Sequence, residues 1–240
     1  MRSMQPLWLR SVSEAPERKE HTLIINGKSL LEAAPIINME PYKMVSPSGI
    51  TSYGLTECGY DIRIKQDIRF VPQKDGSCLT SVLEPSKSRL EFINGRFVLA
   101  SSMEEFQMPQ HLMGQVLNKS TWARLGLDAS MTTNIEPGWN GFLTLELTYH
   151  GYTDIHIPAG TGIAQVMFHE VLEHVSYKGK YQDQANKPEP ARFANPTSVA
   201  GELAKEDSVK IWDAKGVHPE NLDRAVRDQA GYFKRGFTPK

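Results

Sequence analysis

Between Gly59 and Phe168 the chain is a succession of short runs rich in Val, Ile, Leu, Phe, Tyr and Thr, closed by Gly, Pro, Asn or Asp. Almost no 3.6-residue period is sustained across them. The runs fall at 60–64, 68–71, 96–100, 114–117, 142–149, 154–157 and 163–168. Each is long enough for a strand and too short for a stable helix. Runs of this kind must pair to satisfy their backbone groups, which predicts a mainly β domain, a barrel or jelly roll, over about residues 45–176. Asn94 and Gly95 form a dipeptide that favours a hairpin turn.

The flanks read differently. Residues 1–44 form a charged arm with a helical pattern over 28–34, for which Ser29 is a candidate cap and Pro35 the stop. Residues 177–194 are rich in Lys, Gln, Asn and Pro and read as a mobile tail. Residues 195–240 read as a helical appendage, with amphipathic patterns at 197–205 and 219–233.

Charge excludes several classes of partner. The 27 Lys and Arg nearly cancel the 28 Asp and Glu, so no global field exists to hold a nucleic acid or an anionic membrane. Phosphate recognition must be local. No run of about 18 apolar residues is present, and the first residues lack the basic-then-apolar pattern of a secretion signal. A cytoplasmic protein is expected. Cys58 and Cys78, the only cysteines, cannot build a disulfide framework and are expected to be reduced and buried.

Three segments carry candidate chemistry. Residues 118–127, Asn-Lys-Ser-Thr-Trp-Ala-Arg-Leu-Gly-Leu, gather two cations and two hydroxyls after an expected strand. They could cradle phosphate through Lys119, the hydroxyls and backbone N–H groups. The same letters suit an ordinary helix start capped by Ser120 or Thr121, with Arg124 in water. The required glycines of a Walker loop are absent.

In the run 142–149, Leu143, Leu145 and Leu147 share one face and Thr144, Glu146 and Thr148 the other. Glu146 is therefore either a carboxylate on a wet sheet face or a base held over a pocket. His169 and His174 resemble a zinc helix motif, but they stand five apart rather than four and read as surface residues at a strand end. The zinc nucleobase deaminases need a His-x-Glu and a Pro-Cys-x-x-Cys, and the two cysteines here are twenty apart. No zinc is expected.

Taken together, the segments resemble the dCTP deaminases of the dUTPase-like superfamily. The pieces that match are Ser52-Tyr53-Gly54-Leu55 with Gly59-Tyr60-Asp61-Ile62-Arg63, Phe97-Val98-Leu99-Ala100, the loop from Lys119 to Leu127, Glu136 to Gly141 with Leu145-Glu146, Ala164-Gln165-Val166-Met167-Phe168, and Gly179-Lys180-Tyr181-Gln182-Asp183-Gln184. They occur in family order across about residues 45–185. Departures occur at Glu136, where Asp is more usual, and at Met131-Thr132-Thr133-Asn134, the stretch that normally shapes the base pocket.

The resemblance implies a distorted β-barrel of the dUTPase-like type, in a homotrimer with active sites between subunits. It implies that dCTP is deaminated to dUTP and ammonia, feeding dUTP, dUMP and thymidylate synthesis. Glu146 matches the catalytic glutamate, Arg124 the arginine near cytosine and the attacking water, and Ser120 the serine that bonds pyrimidine or phosphate. Lys119 stands where a phosphate-binding cation is expected, and Glu136 where an acidic residue contacts the deoxyribose.

The resemblance also implies substrate contacts from Thr121, Trp139, Gln165 and Tyr181. Lys180 and Gln184 fall on the tail that covers the triphosphate in the family. Mg²⁺ is expected to arrive with the nucleotide, held by phosphates and water. The alternatives are a dUTPase or bifunctional dUMP-forming deaminase, and a non-catalytic nucleotide-binding β-domain.

Overall fold

Alternation along the sequence becomes three antiparallel sheets in the computed structural model, which describes residues 23–192. The elements in chain order are β1 (Ile24–Ile25), α1 (Gly27–Ala33), β2 (Lys43–Val45), β3 (Ser52–Leu55), β4 (Tyr60–Arg63), β5 (Asp67–Pro72), β6 (Cys78–Glu84) and β7 (Arg89–Asn94). There follow β8 (Phe97–Gln107), β9 (Leu112–Asn118), α2 (Ser120–Ala123), β10 (Leu127–Asp128), β11 (Asn140–Tyr149), β12 (Ile155–Ile157) and β13 (Gly162–Glu170). All seven expected strands are present, and the fold is mainly β.

In the largest sheet, β13 pairs along one edge with β9 and along the other with β4 and β1, while β3 and β2 extend the sheet beyond β4. A second sheet runs β10-β11-β8 and a third β12-β5-β6-β7. The ladders do not close into one continuous ring; the sheets pack as a jelly-roll-like body instead. Their inner faces meet in a core that includes Ile62, Phe70, Val98, Leu145, Tyr149 and Phe168. Burying each of these large apolar side chains contributes about 1.5–3 kcal/mol.

Four local readings change. Asn94 and Gly95 do not turn a hairpin: β7 pairs with β6, whereas β8 crosses to pair with β11. The Gly95 N–H donates instead to the Cys78 carbonyl at 2.8 Å, so the dipeptide makes a corner between sheets. Ser29 lies inside α1, whose N-cap is Asn26. The expected stop holds, because Ala34 adopts φ 46° just before Pro35 and returns its N–H to the Leu30 carbonyl.

At α2 the cap is Lys119 rather than Ser120 or Thr121, and no side chain bonds the end of the helix. Cys78 is buried but Cys58 is exposed, since it occupies the tip of the turn between β3 and β4. The arm before residue 23 and the appendage from residue 195 lie outside the described residues. Among those residues no helix is long and apolar enough to cross a membrane.

Candidate functional site

β11 is the strand on which the expected chemistry rests, and its two faces separate as the sequence requires. Leu143, Leu145 and Leu147 are buried while Thr144, Glu146 and Thr148 are half-buried on the opposite face. Across the ladder Glu146 pairs with Leu99 and Thr148 with Phe97, which gives the carboxylate apolar neighbours on its own face. The Glu146 carboxyl has no hydrogen bond or ion pair among the described residues. Burial alone pushes its pKa up. A carboxylate so placed is a stronger base than one in water.

The backbone beneath Glu146 is fixed. Its N–H donates to the Thr132 hydroxyl at 2.9 Å, and the Thr148 hydroxyl meets the Met131 sulfur at 3.2 Å. Thr132 is buried. Neither contact is announced by local pattern, although both residues fall in the stretch that departs from the family pattern.

The loop from Lys119 to Leu127 is held rigidly from below. Trp122 is buried and its indole N–H donates to the Gly162 carbonyl at 2.8 Å. Asn118 bonds Asp128 at 3.0 Å, closing the loop at its base. Gly126 sits at φ +90°, where an added Cβ would approach the Gly151 nitrogen to 2.9 Å, so only glycine fits. This anchoring leaves Ser120, Thr121 and Arg124 facing outward and exposed. None of the three side chains bonds another described residue, and neither Ser120 nor Arg124 reaches Glu146 within the chain.

Lys119 is placed differently from its neighbours. Its ammonium is ion-paired with Asp61 and donates to the Ser52 hydroxyl at 3.2 Å. The Lys119 and Asp61 side chains are only 13% and 4% exposed, so this cation is engaged within the fold. Gln165 lies opposite Asp61 in the β13–β4 ladder and donates to the Thr56 hydroxyl at 3.0 Å. Sequence reasoning missed Asp61 and Ser52 as partners of Lys119. The signal available was their presence in the Ser52–Leu55 and Gly59–Arg63 motifs.

Residues 177–192 fold back over the polar face of β11. Gly141 forms a parallel bridge with Gln184, and the Phe142 N–H donates to the Gln184 carbonyl at 3.0 Å. Gly141 has φ +125°, and a Cβ there would come within 2.5 Å of the Gln184 nitrogen. The glycine that ends the Glu-Pro-Gly-Trp-Asn-Gly turn is therefore what lets the tail dock.

The Trp139 indole, buried behind this turn, donates to the Tyr181 carbonyl at 2.6 Å. Thr144 donates to the Gln184 side chain at 2.8 Å and accepts the Glu189 N–H at 3.0 Å. Lys180 bonds the Arg192 carbonyl and lies over the Tyr181 ring. Glu136 is exposed in the turn before β11, and its carbonyl takes the Trp139 N–H at 3.1 Å.

The structure thus gathers the predicted residues into two groups. Trp139, Tyr181 and Gln184 join the start of β11 to the tail, whereas Lys119, Ser120, Thr121 and Arg124 gather at the loop, with Gln165 behind it. His174 is exposed, as expected, and meets the His111 ring at a tilt with 5.8 Å between ring centres, whereas His169, next to the end of β13, is half-buried and its Nε2 is enclosed rather than at the surface. Among the described residues no group of three His, Cys, Asp or Glu side chains is placed to hold a metal ion.

A family model described as dCTP deaminase-like matches residues 37–171. The chain is 36% identical over 148 residues to a dCTP deaminase of Campylobacter fetus subsp. fetus, covering 57% of this chain and 79% of that protein. It is 36% identical over 152 residues to a dCTP deaminase of Gemmatimonas aurantiaca, covering 57% and 80%. In space it is similar, with a TM-score of 0.42 and 17% identity, to a 2′-deoxycytidine 5′-triphosphate deaminase from Agrobacterium tumefaciens. That likeness spans 62% of this chain and 48% of the other.

Proposed function

Because this chain belongs to the dCTP deaminase-like family, we propose that it hydrolyses the 4-amino group of dCTP, giving dUTP and ammonia. The observation that carries the reading is Glu146: a half-buried carboxylate on a paired strand, raised in pKa by burial and without a partner among the described residues. Such a group takes a proton from water and passes it to N3 as the hydroxide adds to C4 of cytosine; it then takes the proton of the new C4 hydroxyl and gives it to the departing amine. Ammonia leaves and the carbonyl forms.

General base catalysis typically supplies about 10²–10⁴-fold. The remainder must come from holding water against C4 and from fixed donors around it. Arg124 and Ser120 are suited to that part, being exposed on an anchored loop with free donor groups. Because neither meets Glu146 in one chain, we place the complete site between neighbouring subunits of a homotrimer, where the loop of one chain faces β11 of the next.

The substrate would enter as its magnesium complex. Mg²⁺ prefers oxygen donors and retains water, so phosphates and water can hold it, a donor set that asks for no protein ligand cluster. Lys180, Tyr181 and Gln184 on the tail would cover the triphosphate, with Glu136, Trp139 and Gln165 lining the nucleotide. A cytoplasmic site of action suits a nucleotide enzyme of this composition.

The deciding experiment incubates the protein with dCTP and Mg²⁺, then assays ammonia and separates the products. Ammonia with dUTP is the expected result. Ammonia with dUMP would make the enzyme bifunctional, and dCTP binding without ammonia release would overturn the deaminase reading.

A further inference from the structure

Strand β10 stops too early to serve β11 along the whole of its edge. Its only ladder partners are Tyr149 opposite Leu127 and Thr148 opposite Asp128. Beyond Asp128 the chain turns away, because the Asp128 carboxylate accepts from the Ser130 N–H at 2.8 Å and from the Ser130 hydroxyl at 2.6 Å. The next N–H of β11 on that edge, two residues before Thr148, belongs to Glu146. An unpaired strand N–H at a half-buried position costs about 1–3 kcal/mol.

We propose that Thr132 is a positioning residue for Glu146, its hydroxyl supplying the acceptor that β10 fails to provide. The Thr132 hydroxyl accepts the Glu146 N–H at 2.9 Å, and Thr132 is 4% exposed, so water does not compete for the bond. The segment is also tied down by the Thr132 N–H on the Ala129 carbonyl at 3.3 Å and by Met131 on Thr148.

The carboxylate projects from a backbone paired with β8 along one edge and held along the other by this one side chain. Loss of the acceptor frees the Glu146 peptide to tilt and carries the carboxylate off the line to the reacting carbon. The role rests on the deaminase reading for its effect on rate, but the hydrogen bond can be tested without it.

Thr132→Val keeps the shape and removes the acceptor, while Thr132→Ser keeps the acceptor and removes a methyl. For Thr132→Val, kcat for ammonia release from dCTP should fall by about tenfold with KM changed by less than about threefold. Thr132→Ser should restore most of the rate. In parallel, hydrogen exchange at the Glu146 amide should quicken in Thr132→Val and return toward the parent in Thr132→Ser.

Parent rate and parent exchange in Thr132→Val would overturn the proposal. So would equal impairment of both variants. If the parent releases no ammonia while the exchange pattern holds, the positioning of Glu146 stands and the deaminase reading falls.

Discussion

Lys119 and Glu146 are both charged groups of the candidate site, and the fold treats them in opposite ways. Lys119 is buried against Asp61 and Ser52, so its charge is answered inside the chain. Glu146 is half-buried and unanswered, at a cost seen in its raised pKa. A buried ion pair holds a loop to a sheet, whereas an unpaired carboxylate adds nothing to the fold. The difference separates the part of the site that is scaffold from the part that is poised for chemistry.

The strongest way to break this contrast is Glu146→Gln. It should abolish ammonia release, by at least about 10²-fold, while leaving nucleotide binding in place. Because the native fold raises the pKa of this acid, it favours the protonated form over the ionised one. The destabilisation is therefore present above the folded pKa and relieved as pH falls through it. Glu146→Gln should melt no lower than the parent at neutral pH, and a clear loss of melting temperature would make Glu146 scaffold after all.

Next in size is Lys119→Ala, which strands the buried Asp61 carboxylate. Stability should fall by about 3 kcal/mol, read by denaturant unfolding, and adding Asp61→Asn should recover most of it. If Lys119→Ala unfolds like the parent and only triphosphate affinity drops, the contrast inverts and Lys119 is a substrate cation.

Lys180→Ala should have a smaller effect, about twofold to fivefold weaker binding of dCTP with dCMP unchanged, as suits an exposed charge. Equal losses for both nucleotides would remove Lys180 from the triphosphate. The smallest effect concerns pH: the acid limb of kcat/KM should lie above the ordinary glutamate value of about 4.3, since the base form is lost as pH falls through a raised pKa. Titration of initial rates between about pH 4 and 8 would reveal it.

How much of this could be read from letters depends on the range of each signal. The faces of β11 were legible because Leu143, Leu145 and Leu147 alternate strictly with Thr144, Glu146 and Thr148. Strand β6 was not, because six of its seven residues are buried and a doubly covered strand shows no alternation. Asn94 and Gly95 mark a turn, yet nothing local says that the chain beyond them joins a different sheet. The candidate loop was visible as a cluster of cations and hydroxyls, but the partner that occupies Lys119 lies 58 positions upstream.

Strand β13 pairs with β1, β4 and β9, elements drawn from the beginning and middle of the described chain. During synthesis those three strands must wait with unpaired edges until residues 162–170 have emerged. Contacts of such sequence separation close slowly, and exposed edges invite association between nascent chains. The largest sheet is consequently an assembly step that comes late, and a chain cut before residue 162 should accumulate in insoluble form even though every residue of α2 and β11 is present.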